Sequence, residues 1–156
     1  MSELTPDELL ALLAGVPDQL DTALRTAAPA RAAQLDTASA EESWTTSEIV
    51  GHLCDAARYW GGRMRLAVYE DNPHLEPFDQ DTLVRLAAYR YIAPETLAQE
   101  FRLVTASNVA LLRGLRPEQW ERIGVHAQRG PLTVREMVEI EARHESDHAL
   151  QLAEGR

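Results

Sequence analysis

The chain has no lysine, a single cysteine and no long apolar run. All 15 basic residues are arginine and face 25 acidic ones, which leaves a formal charge of -10. A chain of that sign is repelled by a nucleic-acid backbone or an anionic membrane, so neither is expected as a partner. Cys54 alone cannot form an internal disulfide or a redox-active thiol pair, and it fits a reducing cytoplasm. No stretch approaches the roughly 20 apolar residues of a membrane span, and the opening MSELTPDELL lacks both the basic flank and the apolar core of a leader. A soluble, unprocessed cytoplasmic protein is expected.

The 156 residues fit one domain over 1–156, a length at which roughly 70% of the unfolded surface can be buried without disulfide or metal support. Helix starts punctuate it. Thr5 with Glu8, Thr45 with Glu48, and Thr133 with Glu136 each have the spacing of a capping box, with apolar residues placed for the staple (Leu4 and Leu9, Trp44 and Ile49, Leu132 and Met137). The first helix runs towards Ala27, with a kink or break expected near Val16 because Gly15 and Pro17 interrupt it. Pro29 closes it, and Arg31 to Ser43 reads as a connection.

The second helix reaches about Tyr69, its apolar stripe formed by Ile49, Leu53, Ala56, Trp60 and Met64. Asp79 caps a shorter helix ending near Tyr91, Pro94 opens another long helix that stops at Gly114, and Arg116 to Trp120 reads as a helical turn. No run alternates well enough for a sheet. The expected fold is an all-α four-helix bundle with short extra helices in the connections.

The last helix carries the chemistry. Within EIEARHESDHALQ, His144 and His148 are one turn apart and, at about 100° per residue, lie on the same inward sector as Met137 and Ile140. One buried histidine is ordinarily satisfied by a carbonyl or a carboxylate; two adjacent ones must both be desolvated and both be bonded. Two readings stand at this point, a pair of satisfied core histidines or two ligands of one metal ion. The same residues spell H-E-x-x-H, the helix signature of zinc peptidases. Only eight residues follow His148 to supply a third ligand, and Glu145 lies about 100° from His144, a position read as solvated, so a peptidase is not expected. A third ligand would come from another helix, and His52, at the edge of the second helix's buried face, is the best placed histidine. Asp55 beside it reads as a solvated residue before an outer partner, His74 as exposed in a loop, and His126 as a loop residue before the last helix.

Trp44 to Leu53, with its E-I-V-G-H-L, and Leu132 to Gln151, opening L-T-V-R-E-M and ending H-x-x-x-H-x-x-Q, together resemble the DinB superfamily, which includes YfiT-type proteins and bacterial low-molecular-weight-thiol transferases. The likeness covers nearly the whole chain, Trp120 and the Gly124 to Gly130 segment included. It implies an up-down-down-up bundle, a homodimer, and a divalent metal held by His52, His144 and His148. Three neutral imidazoles suit zinc or nickel first, and also iron, copper or manganese. The family resemblance implies an enzyme that activates a small thiol such as bacillithiol or mycothiol for attack on an electrophilic substrate, or water for hydrolysis. The alternative is a metal-binding stress-response bundle without turnover. No side chain is identified as catalytic, and Cys54, about 200° round the helix from His52, is expected to face away from the metal.

Overall fold

A computed structural model describes residues 4–34 and 44–155. Among them, five α-helices and three short strands follow in the order α1 (Pro6–Gln34), α2 (Thr46–Tyr69), β1 (His74–Leu75), α3 (Gln80–Ala87), α4 (Pro94–Arg113), β2 (Ile123–His126), β3 (Gly130–Thr133) and α5 (Val134–Glu154). Single 3-10 turns at Tyr89–Tyr91 and Pro117–Glu121 complete the connections.

The helix starts are held by the residues that mark them in the sequence. Thr45 and Glu48 form a reciprocal capping box at α2, as do Thr133 and Glu136 at α5, and Thr5 and Glu8 exchange the same bonds at α1. Asp79 caps α3 through the Thr82 N–H, and Pro94 occupies the first turn of α4. Each box satisfies backbone donors that the helix itself leaves unpaired.

The expected break in α1 does not occur. The helix passes through Gly15, Pro17 and Pro29 and reaches Gln34, while 35–43 lie outside the described residues. Pro17 removes one hydrogen bond and costs about 3 kcal/mol, but it is itself buried, and Leu13, Val16, Leu20 and Leu24 on the same side are also buried, each contributing roughly 1.5–3 kcal/mol. Packing outweighs the local defect.

Four helices form the bundle. α1 packs against α5 and α4, and α2 packs against α4 and α5, so α1 and α2 occupy opposite corners. Directions follow from the contacts. Cys54 meets Leu97, Arg58 pairs with Glu100, and Arg65 reaches Ser107 and Asn108, so α2 and α4 run parallel. Leu9 and Leu13 share a cluster with Val134 and Val138, whereas Val16, Leu20 and Leu24 share one with Leu152, so α1 and α5 run parallel as well. His52 lies beside His144, while Asn108 joins Ala57, further along α2, to Glu141, further back on α5; these helices are therefore antiparallel. The arrangement is up-down-down-up.

A small sheet corrects the expectation of none. β2 pairs antiparallel with β3, with Ile123 opposite Thr133 and His126 opposite Gly130, and β1 adds in parallel to β2. Strands of two to four residues are too short for alternation to stand out, although β2 does alternate exposed and buried positions. His126 therefore sits on a strand. It is buried, and its Nδ1 accepts from the backbone N–H groups of Gln128 and Arg129, which closes the hairpin. The sheet lies at the end of the bundle where α5 begins, and the histidines lie towards the other end.

Candidate metal centre

The start of α2 is pinned on several sides. Glu48, besides closing the capping box, accepts from Arg90, and the Ser47 hydroxyl donates to the Ile92 carbonyl. The ring of Tyr89 lies directly on Gly51, where a Cβ would stand 2.2 Å from the ring carbons, and its hydroxyl donates to Asp55. Only glycine allows that approach. Asp55 is thus neither solvated nor a partner of His52; it anchors the tyrosine that packs beside the turn carrying His52. Gly51 is the positioning residue that periodicity alone does not reveal, because its role is to leave space.

On this platform His52 is 1% exposed, and across from it α5 presents the half-buried His144 and His148. The three rings stand nearly edge to face, at centroid distances of 4.7 to 5.1 Å, and Trp44 packs on His52 at 4.9 Å. One nitrogen from each imidazole lies within 4.8 Å of the other two. His52 Nε2 and His144 Nε2 are 3.1 Å apart. A metal with bonds of about 2.0–2.1 Å to nitrogen separates its ligand atoms by roughly 2.9–3.4 Å, depending on whether the angle is octahedral or tetrahedral.

The electrostatics agree with this donor set. Burial, and then the neighbouring His144 and His148, push His52 down to about 3; burial and His148 push His144 down to about 4, with Asp147 opposing. Both are neutral near pH 7. Neutral imidazoles with converging lone pairs are what a cation requires, and Nδ1 of His52 and of His144 are buried with no hydrogen-bond partner among the described residues. His148 differs, since its Nδ1 is 2.9 Å from Gln151 Oε1. The residues fit a divalent transition metal.

The other candidates fall elsewhere. Glu145 is not solvated: it is 0% exposed and lies in the core beside Glu141. α5 packs against both α1 and α2, so its buried arc is wider than a single stripe and takes in this position. Burial drives both carboxyls upwards, most strongly at Glu145, where the neighbouring Glu141 adds to it. Asn108 donates to Glu141 Oε1 and to the Ala57 carbonyl, and it reaches that carbonyl only because Gly61 leaves room. Cys54 turns from the histidines and donates to the Leu97 carbonyl, and burial pushes its thiol up to about 12. His74 is exposed, with Nε2 3.2 Å from Glu76.

The antiparallel meeting of α2 and α5 thus brings one histidine of α2 and two of α5 together at one end of an up-down-down-up bundle. The family model of the DinB superfamily matches residues 2–152, and the chain belongs to that superfamily. Among its relatives, a protein of Oceanobacillus iheyensis provisionally named a metal-dependent hydrolase is 30% identical over 118 residues, 74% of this chain and 66% of that one. YfiT of Bacillus subtilis, named in the same provisional way, is 27% identical over 74% of this chain and 64% of its own. These matches span about two thirds of the relatives' lengths. In structure, YfiT superposes with a TM-score of 0.85 at 24% identity, covering 99% of this chain and 87% of that one, and its four-helix bundle topology is described as unusual. A mycothiol-dependent maleylpyruvate isomerase superposes with a TM-score of 0.72 at 20% identity, over 97% of this chain and 63% of that one. Both likenesses establish the fold.

Proposed function

We propose that this chain is a metal-dependent enzyme in which His52, His144 and His148 hold one divalent transition metal, zinc or nickel before iron, copper or manganese. The observation that carries the reading is the convergence of three imidazole nitrogens from two helices within 4.8 Å, two of the rings held neutral by burial. When bound, such an ion supplies Lewis acidity and lowers the pKa of a thiol or water that reaches the positions left open by three protein ligands. The substrate class is a small cellular thiol together with an electrophile: sulfur forms a bond to the electrophilic carbon, the bond to the leaving group breaks, and the thiol proton passes to solvent.

The chain's own residues support thiol activation in what they omit. Cys54 is turned into α4 with its thiol pushed up to about 12, so it supplies no nucleophile, and Glu145 faces the core, so H-E-x-x-H supplies no peptidase base. His52, His144 and His148 hold the cation, and Trp44 covers one face of His52. Hydrolysis by activated water is the second reading, favoured by the names given to the relatives.

Purified protein is expected to contain about one transition metal per chain and His148→Ala to lose it, as read by elemental analysis. Metal-loaded protein is then assayed for conjugation of monochlorobimane with bacillithiol, mycothiol, coenzyme A, glutathione or cysteine. Acceleration that chelation abolishes supports the thiol reading; metal without acceleration across several electrophiles moves the assignment to hydrolysis or to a non-catalytic stress-response role. Glu145→Gln is expected to keep its metal, and no casein cleavage is expected from any form. The proposal extends to a cytoplasmic homodimer without nucleic-acid or membrane partners, and a concentration-independent monomer in light scattering would remove the dimer. Among the described residues no helix is long and apolar enough to cross a membrane.

A further inference from the structure

Of the three histidines, His148 is the one nearest the C-terminal end of its helix. It is half-buried, lies two turns from the end of α5, and has among the described residues no counterpart of the Trp44 ring that packs on His52. Its second nitrogen has a side-chain partner where those of His52 and His144 have none among the described residues: Gln151, at 2.9 Å between Nδ1 and Oε1. The Gln151 backbone carbonyl accepts from the Gly155 N–H, the left-handed cap that closes the helix, so the turn that carries the Gln151 side chain is itself closed.

We propose that Gln151 is the positioning residue of the metal centre, its side-chain carbonyl oxygen accepting the Nδ1 proton of His148 and so keeping the Nε2 lone pair directed at the ion. An imidazole coordinates through an unprotonated nitrogen, and its tautomer is set by the hydrogen bond made at the other nitrogen. With Nδ1 donating to Gln151, Nε2 is the nitrogen left for His52 and His144 to meet. Were the amide reversed, its NH2 would donate to Nδ1, the proton would move to Nε2, and His148 could not ligate. The inference rests on the three-histidine reading above.

Two substitutions separate the possibilities. Gln151→Leu removes the acceptor at similar volume, and Gln151→Glu is an acceptor at any pH where it is ionised and cannot act as an amide donor. Gln151 is half-buried near the end of α5, and circular dichroism with a thermal melt checks that each variant folds. The first readout needs no metal: nitrogen-15 imidazole spectra of metal-free protein are expected to show His148 as the Nδ1–H tautomer in wild type and Gln151→Glu, and predominantly as the Nε2–H tautomer in Gln151→Leu. The second is zinc and nickel affinity by competition with a chromophoric chelator, where Gln151→Leu is expected to bind about 10- to 100-fold more weakly and Gln151→Glu to return to within a few-fold of wild type. Wild type with an Nε2–H His148, or Gln151→Leu with unchanged affinity, overturns the role of Gln151 while leaving the metal centre intact. Wild type that shows the Nδ1–H tautomer yet binds neither ion overturns the metal centre, and the positioning role falls with it.

Discussion

Helix α5 carries two interleaved pairs of ionisable side chains one turn apart, Glu141 with Glu145 and His144 with His148, and the two pairs solve burial in opposite ways. The glutamates point into the core where α2 and α4 approach; burial raises both, so they retain protons, and Asn108 satisfies one oxygen of Glu141. The histidines point across to His52; burial and the neighbouring imidazole lower His144, which sheds its proton and keeps a lone pair. His144 and Glu145 are neighbours in the chain, yet they hold opposite preferences for protons because they face different surroundings. The glutamate pair meets burial by keeping protons, and His144 meets it by giving one up and keeping a lone pair.

The largest effect is expected where the glutamate pair loses the amide that reaches it. Asn108 is almost wholly buried and links Glu141, the Ala57 carbonyl and Arg65. Asn108→Ala takes the amide donor from the buried Glu141 carboxyl and leaves a cavity beside it, and is expected to lower stability by about 2–4 kcal/mol in urea unfolding, with metal content unchanged. Loss of metal at the same time would show that the two pairs are not independent.

The second effect is on pH, in metal-free protein. Glu141 is raised from 4.5 to about 8, so the stability it contributes is complete below 4.5 and is lost as pH rises towards 8. His52 and His144 are lowered from 6.5 to about 3 and about 4, so theirs is complete above 6.5 and is lost as pH falls towards those values. The opposed slopes place maximal stability between the two limbs, near neutral to mildly acidic pH, and each unshared proton contributes up to about 1.4 kcal/mol per pH unit on either side. Glu141→Gln with Glu145→Gln is expected to flatten the alkaline limb alone. An unaltered limb would mean that the carboxyls ionise without cost.

The ends of elements are legible before any contact is known, because capping is local: Thr45 with Glu48 and Thr133 with Glu136 announce their helices within four residues. The pairing of His144 with His148 is legible for the same reason. His52 is not, since its meeting with them depends on which corners α2 and α5 occupy, and the resemblance to a family supplies what periodicity cannot. Glu145 reads as solvated and is buried because a helix packed on two neighbours hides an arc that a single-stripe pattern does not describe. The sheet escapes notice because Ile123–His126 and Gly130–Thr133 are short, and α1 runs on past Pro17 because the apolar face around it outweighs a local rule.

A smaller effect tests the histidines. Nδ1 of His52 is buried without a partner among the described residues, so the imidazole carries a desolvation cost that the proposed metal role would offset. His52→Leu is expected to abolish metal binding and yet to raise metal-free stability by about 1 kcal/mol, the reverse of Asn108→Ala. A destabilised variant would place His52 among the structural core residues instead.

The smallest effect is expected at Cys54, two residues from His52 but on the other side of α2. Its sulfur donates to the Leu97 carbonyl of α4, and burial keeps it a thiol far above neutral pH, so it can neither ligate nor attack at the metal end. Serine preserves a donor towards Leu97 at slightly smaller volume. Cys54→Ser is accordingly expected to leave metal content unchanged and any thiol-conjugation rate within about twofold, whereas His52→Ala abolishes both. Initial rates with monochlorobimane on equal metal-loaded samples decide it: a large loss in the serine variant would make Cys54 a participant, and the division of α2 into a ligand side and an inert side would fail.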